Sequence, residues 1–193
     1  MEMLARWARP MAIASALLLI IGVVLTGLNL LLGGWTVYAA GQVLAIAALA
    51  AFWAANRGRL DGWATLGLLV LLIGLTLALP QIATIWQTYA PGAFHEVGAQ
   101  HMELPVWTAP FGLTAELVTW VGVAFFGLAA RGAHALPRGI GWVMAGAAAI
   151  GIIAALYIVS PYAWVAAMLL FAVALLSVGV SLVQPSSRMA NGG

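Results

Sequence analysis

Apolar runs of bilayer length recur along the whole chain, separated by connections that are short with one exception. About 20 helical residues are needed to cross the hydrocarbon core of a membrane. The runs predict spans near residues 11–32, 35–55, 62–86, 110–130, 139–159 and 162–183. The long connection, roughly 87–109, follows the third span. The sequence therefore predicts an all-α polytopic transmembrane bundle of six helices over residues 1–183, with one long outer loop between helices 3 and 4.

Composition supports lipid as the solvent for most of the surface. Charged residues make up 6% of the chain and hydrophobic residues 65%, whereas soluble domains carry about 25% charged residues. The first run, from Met11 to Leu32, is longer than the apolar region of a signal peptide, which spans about 7–15 residues. We interpret it as the first span. The chain has no cysteine, which excludes disulfides and thiolate metal sites.

The arginines predict the orientation. Six spans place every basic residue of the chain on one side of the membrane, namely Arg6, Arg9, Arg57, Arg59, Arg131, Arg138 and Arg188. Arginine-rich loops stay in the cytoplasm, so both termini are expected there, with residues 184–193 as a disordered cytoplasmic tail. The arginine-only, alanine- and glycine-rich composition suggests a bacterial inner-membrane protein. This orientation accounts for the excess of basic over acidic residues, so we expect no nucleic-acid partner.

A weak internal repeat relates the second and fourth spans. Gln42 and Glu116 each precede an Arg-Gly pair by fifteen residues, and Phe52 matches Phe126 in the same register. Duplication of a helical hairpin would produce this pattern. The shared chemistry of cytoplasmic helix ends would produce part of it as well. Both interpretations stay open at this point.

Residues 136–142 read Leu-Pro-Arg-Gly-Ile-Gly-Trp at the start of the fifth span. This segment resembles the start of a helix in a group of uncharacterised six-span bacterial membrane proteins. The resemblance implies a six-helix architecture. It implies no activity, cofactor or site residue.

Polar side chains within the predicted spans concentrate in the outer half of the membrane. Unpaired amides are costly in hydrocarbon, so these side chains should face the bundle interior. We predict an outward-facing pocket that binds a ligand through Glu116, Gln42, Asn29 and Gln81. The alternative is a set of interhelical hydrogen bonds that only hold the bundle together, each worth about 1 kcal/mol or less.

Glu116 is the only acidic residue within a predicted span. A carboxyl group at that depth suits a proton carrier or a cation ligand. The alternative is an acid in the first helical turn, where the helix dipole favours negative charge. A helix that starts at Gly112 favours this alternative. A start near Pro110 places Glu116 nearly two turns inside the helix and favours a functional role.

The outer loop carries two histidines and two acids close together, and His95, His101 and Glu103 could bind a divalent metal. The histidines are six residues apart rather than the four that place two ligands on one helical face. Residues 94–104 could instead form an amphipathic helix that covers the pocket at the membrane surface. Haem is not expected, because no histidine lies within a predicted span, and we expect no other cofactor.

These features favour a non-enzymatic role: binding or translocating a small or lipophilic ligand, or serving as an accessory subunit of a membrane complex. Expected partners are membrane lipid, the ligand, and a membrane protein or a second copy of the chain. One alternative is a membrane enzyme with a metal or acid–base site at the outer face, formed by His95, His101, Glu103 and Glu116. Another is a structural scaffold subunit.

Overall fold

A computed structural model describes residues 2–28, 30–93, 108–157 and 161–181. The described chain forms α1 (Glu2–Gly27), α2 (Leu31–Asn56), α3 (Gly62–Ala93), α4 (Thr108–Gly132), α5 (Arg138–Tyr157) and α6 (Pro161–Ser181). Each helix contains an apolar stretch of 18 to 24 residues, long enough to cross a membrane. The prediction of six helices that can span a membrane is confirmed. The sides on which the termini lie, and the tail at 184–193, stay predictions.

Local signals explain where several helices begin and end. The carboxylate of Asp61 accepts a hydrogen bond from the Ala64 N–H at 2.7 Å, which caps the start of α3. After α4 the chain turns at His134, whose φ of 55° is left-handed. The Ala135 N–H then donates a hydrogen bond to a carbonyl oxygen in the last turns of α4, which ends the helix. Helical hydrogen bonds can continue beyond the hydrocarbon core of a membrane. Accordingly α1 begins at Glu2, before the first predicted span, and α3 ends at Ala93, after the third.

The six helices form a closed ring in which each helix packs against its neighbours in sequence and α6 packs against α1. Neighbours are antiparallel: Gly67 of α3 faces Phe126 of α4, and Gly74, further along α3, faces the earlier Thr119. Arg57, Arg59 and Arg131 therefore lie at one end of the bundle. We call this the arginine end and the opposite one the far end.

Large aromatic side chains fill the interior from the middle of the bundle towards the arginine end. Phe52 of α2 and Phe126 of α4 pack edge to face, with ring centroids 5.9 Å apart. Nearer the middle, Trp120 of α4 meets Phe171 of α6 at 6.4 Å. All four side chains are buried. The centre of the ring is closed at these levels.

Glycines bring neighbouring backbones into direct contact along three seams. A β-carbon at Gly22 of α1 would lie 2.6 Å from the Tyr38 nitrogen of α2. One at Gly141 of α5 would lie 2.6 Å from the Gly127 oxygen of α4. Gly74 of α3 has no room for a β-carbon beside the α4 backbone. Helices in lipid associate through such close packing rather than through a hydrophobic force.

Gly74→Ala tests whether the seam between α3 and α4 holds the fold. The added methyl group would meet backbone atoms of Thr119, which cannot rotate away. We expect a loss of about 1–3 kcal/mol in the free energy of unfolding, the usual cost of overpacking. Gly146→Ala is the matched control, because nothing lies within 4 Å of a β-carbon there. It should leave stability unchanged or raise it by up to about 1 kcal/mol. Equilibrium unfolding in mixed micelles measures both variants, and equal effects would contradict the assignment.

Candidate functional site

A cavity of about 40 Å³ lies between α2, α3, α4 and α6, in the half of the bundle towards the far end. A space of about 10–15 Å³ on the same measure holds one water molecule, so this cavity has room for a small polar group. Its walls are formed by Trp35, Tyr38, Gln42, Ala78, Gln81, Ile82, Glu116, Thr119, Trp120, Trp164 and Met168.

The structure brings Gln42, Gln81 and Glu116 together in the walls of this cavity. These residues come from three helices and were predicted as ligand-binding from the sequence. Asn29, the fourth predicted residue, lies outside the described residues. So do the predicted metal ligands His95, His101 and Glu103. Among the residues that the structure describes, no group of three or more His, Cys, Asp or Glu side chains could hold a metal ion.

Helical periodicity explains how each helix presents its wall residues. Trp35, Tyr38 and Gln42 are spaced by three and four residues and share one face of α2. On α4, Thr119 and Trp120 lie three and four residues after Glu116, and on α6 Met168 lies four residues after Trp164. The aromatic wall residues were not predicted from the sequence, because tryptophan near a span end usually anchors a helix at the membrane surface. The spacing of Trp35 and Tyr38 from Gln42 was the signal that could have found those two.

Gln42 is the most buried polar side chain in the cavity wall, at 2% exposure. Its Nε2 donates a hydrogen bond of 3.2 Å to the Leu75 carbonyl oxygen of α3. Its Oε1 is buried and accepts no hydrogen bond from any residue that the structure describes. An unsatisfied buried acceptor costs about 1–3 kcal/mol. A hydrogen-bond donor inside the cavity would remove that cost.

Glu116 lies well inside α4. The helix begins at Thr108, eight residues earlier, which places Glu116 roughly two turns and about 12 Å from the helix start. The helix dipole acts mainly within the first turn, so it does not explain an acid at this position. The side chain is half-buried. Its carboxyl group makes no hydrogen bond within the part of the chain that the structure describes.

Aromatic rings form the wall nearest the far end. Trp35, Tyr38 and Trp164 contact one another, with ring centroids between 5.6 and 6.1 Å apart. The Tyr38 hydroxyl donates to the Met168 sulfur at 3.8 Å. The planes of these rings are inclined by 47° to 86° rather than stacked in parallel.

Two glycines make room for wall residues. A β-carbon at Gly112 of α4 would collide with the Gln81 side-chain amide. One at Gly151 of α5 would collide with the indole ring of Trp120. The side chains of Gln81 and Trp120 occupy the space that these glycines leave. The close helix packing thus also shapes the cavity.

No protein-family model matches the chain, and no curated protein or solved structure gives a significant match. The fold and the span lengths alone define the class, which is that of a multi-pass α-helical membrane protein.

Gln42→Met tests whether this amide is needed for stability. Leu75 lies in the middle of α3, so its carbonyl oxygen keeps a helical hydrogen bond when the amide is removed. The substitution also removes the unpartnered oxygen and keeps the volume of the side chain. We expect the free energy of unfolding of the ligand-free protein to stay within about 1 kcal/mol of the wild type, or to rise. Equilibrium unfolding in mixed micelles measures it, and a loss above about 2 kcal/mol would make Gln42 a structural residue.

Proposed function

We propose that this membrane protein binds a small molecule, or the polar head of a lipophilic one, in the cavity at the far end, without catalysing a reaction. The unpartnered Oε1 of Gln42 carries the proposal. Buried polar atoms in proteins almost always have a partner, and each exception calls for an explanation. A ligand that donates a hydrogen bond explains this one.

The position of the cavity defines the side from which a ligand arrives. The cavity lies away from the arginine end, which the positive-inside rule assigns to the cytoplasm. The ligand would therefore enter from the outer face or the outer leaflet. Towards the arginine end, the ring pairs Phe52–Phe126 and Trp120–Phe171 close the interior. Ligand binding therefore does not require these rings to separate, whereas translocation across the membrane would.

The alternatives receive less support from the described residues. An acid–base enzyme needs a second titratable group beside Glu116, and among the described wall residues this is the Tyr38 phenol, whose hydroxyl already donates to the Met168 sulfur. His95, His101 and Glu103, which would complete a metal site, lie outside the described residues. A purely structural role gives no reason to keep an unpartnered acceptor in a buried wall. An accessory subunit could still use the same cavity.

Native mass spectrometry on protein released gently from its own membrane tests the proposal. We expect the wild type to retain a ligand at fixed stoichiometry, and Glu116→Gln and Gln42→Met to lose at least nine-tenths of it. A tenfold loss of affinity corresponds to about 1.4 kcal/mol, slightly less than the roughly 1.5–3 kcal/mol that one hydrogen bond to a charged group contributes.

Thr114→Val is the matched control on α4. The Thr114 side chain is exposed, and its hydroxyl donates to the Pro110 carbonyl oxygen of its own helix at 2.8 Å. This variant should retain the ligand as the wild type does. A wild-type protein that carries nothing, or is recovered only with a protein partner, would contradict the proposal and favour the accessory-subunit role. Equal ligand loss in all three variants would contradict the site.

A further inference from the structure

Some hydrogen-bonding groups around the cavity already have a partner among the described residues, and at least one does not. Three donors are already engaged within the protein: the Gln42 Nε2, the Tyr38 hydroxyl, and the Thr119 hydroxyl, which donates to the Ala115 carbonyl oxygen at 2.8 Å. The Gln42 Oε1 is buried and accepts no hydrogen bond from a described residue. An occupant that donates a hydrogen bond to this oxygen would satisfy it.

The charge of the wall points to the same kind of occupant. Glu116 is the only carboxylic acid among the described wall residues, and none of those residues is basic. Arg57, Arg59 and Arg131 lie at the arginine end, on the other side of the packed aromatic interior. A charge within a membrane span is costly unless an opposite charge accompanies it. A cation would supply that charge, whereas an anion would be repelled.

The remaining wall favours an organic cation over a metal ion. Trp35, Tyr38 and Trp164 contribute inclined rings, and the faces of such rings attract cations. A bare Mg²⁺ or Ca²⁺ ion instead needs about six or more oxygen ligands. The described residues hold no group of acids and histidines for that purpose. Aromatic walls are a known means of recognising quaternary ammonium groups, and a carboxylate can balance their charge.

We propose that the occupant of the cavity is a small organic cation, whose ammonium head lies against the aromatic wall of Trp35, Tyr38 and Trp164, with Glu116 as its counter-charge and the Gln42 Oε1 as an acceptor. This inference rests on the proposed function and names the ligand class of the same site. The ammonium group belongs either to a free amine or to the headgroup of a lipid. Both sources present the same chemistry to the wall.

Binding of choline to the full chain tests the proposal. The wild type is placed in nanodiscs of phosphatidylglycerol alone, which contain no ammonium group, and titrated with choline and ethanolamine by calorimetry. The comparison probe is 3,3-dimethylbutan-1-ol, which has the shape of choline without its charge. We expect at least one of the two cations to bind ten times or more tightly than this neutral alcohol. Equal binding of cation and neutral alcohol, or a response to Mg²⁺ as strong as to choline, would overturn the proposal.

Variants assign the binding to this wall. Glu116→Gln should weaken cation binding at least tenfold, and Trp164→Leu should weaken it to a similar degree. Trp164→Phe keeps an aromatic face and should retain part of the affinity, which separates a ring contact from a general packing defect. Thr114→Val should bind as the wild type does. Unchanged cation binding in Glu116→Gln would overturn the role of its carboxyl group. Thermal unfolding of each variant in the same nanodiscs shows that it is folded.

Lipid composition separates the two sources of the ammonium group. If the natural occupant is a lipid headgroup, nanodiscs with half phosphatidylethanolamine or phosphatidylcholine should lower the apparent affinity for choline several-fold. If it is a free amine, the affinity should not change. Either result supports an ammonium site. A retained neutral or anionic ligand in native mass spectrometry, with no cation binding here, would overturn this inference alone. A cavity that binds nothing in both experiments would overturn the proposed function as well.

Discussion

The direct contact between helix backbones at glycine residues is the constraint on which the rest of the structure depends. Lipid is as apolar as a leucine side chain, so burying apolar side chains between helices gains little free energy. Close contact instead supplies dispersion attraction along α1–α2, α3–α4 and α4–α5, for example where Gly122 meets the Leu71 backbone. Because neighbouring helices approach closely at these contacts, there is no room for large side chains between them. The large side chains that are buried therefore lie inside the ring. Gly112 and Gly151 then leave the space that Gln81 and Trp120 occupy beside the cavity.

The same packing explains how the protein tolerates an unsatisfied group. Gln42 keeps one hydrogen bond, to the Leu75 carbonyl oxygen, and leaves its Oε1 without a partner. The cost of about 1–3 kcal/mol is of the same size as the loss expected when one tight glycine contact is overpacked. Natural proteins depart from full polar satisfaction mainly at functional sites. The Gln42→Met variant separates the two contributions, because it removes the amide and leaves the glycine seams intact.

The helices were predictable from the sequence because hydrocarbon permits few structures. A span must satisfy its own backbone hydrogen bonds, so each apolar run of bilayer length becomes a helix. Desolvation also made the convergence of Gln42, Gln81 and Glu116 predictable, since polar side chains must turn inward. The aromatic wall was not predicted. A position near a span end gives the depth of Trp35 and Trp164 but not the direction in which each helix is rotated, and that direction depends on the neighbouring helices.

The structure places the matched residues of the internal repeat side by side in the bundle interior. The shared chemistry of helix ends at the arginine end explains why α2 and α4 both reach an Arg-Gly pair. Both helices run in the same direction, so residues at equal distance from that pair lie at equal depth under either interpretation of the repeat. At these depths Phe52 contacts Phe126, and Gln42 and Glu116 line the same cavity. The matched polar residues Gln42 and Glu116 differ in charge. Two carboxyl groups at this depth would repel each other, and two amides would provide no charge. One of each leaves a single counter-charge beside a single neutral acceptor, which matches an occupant with one positive charge.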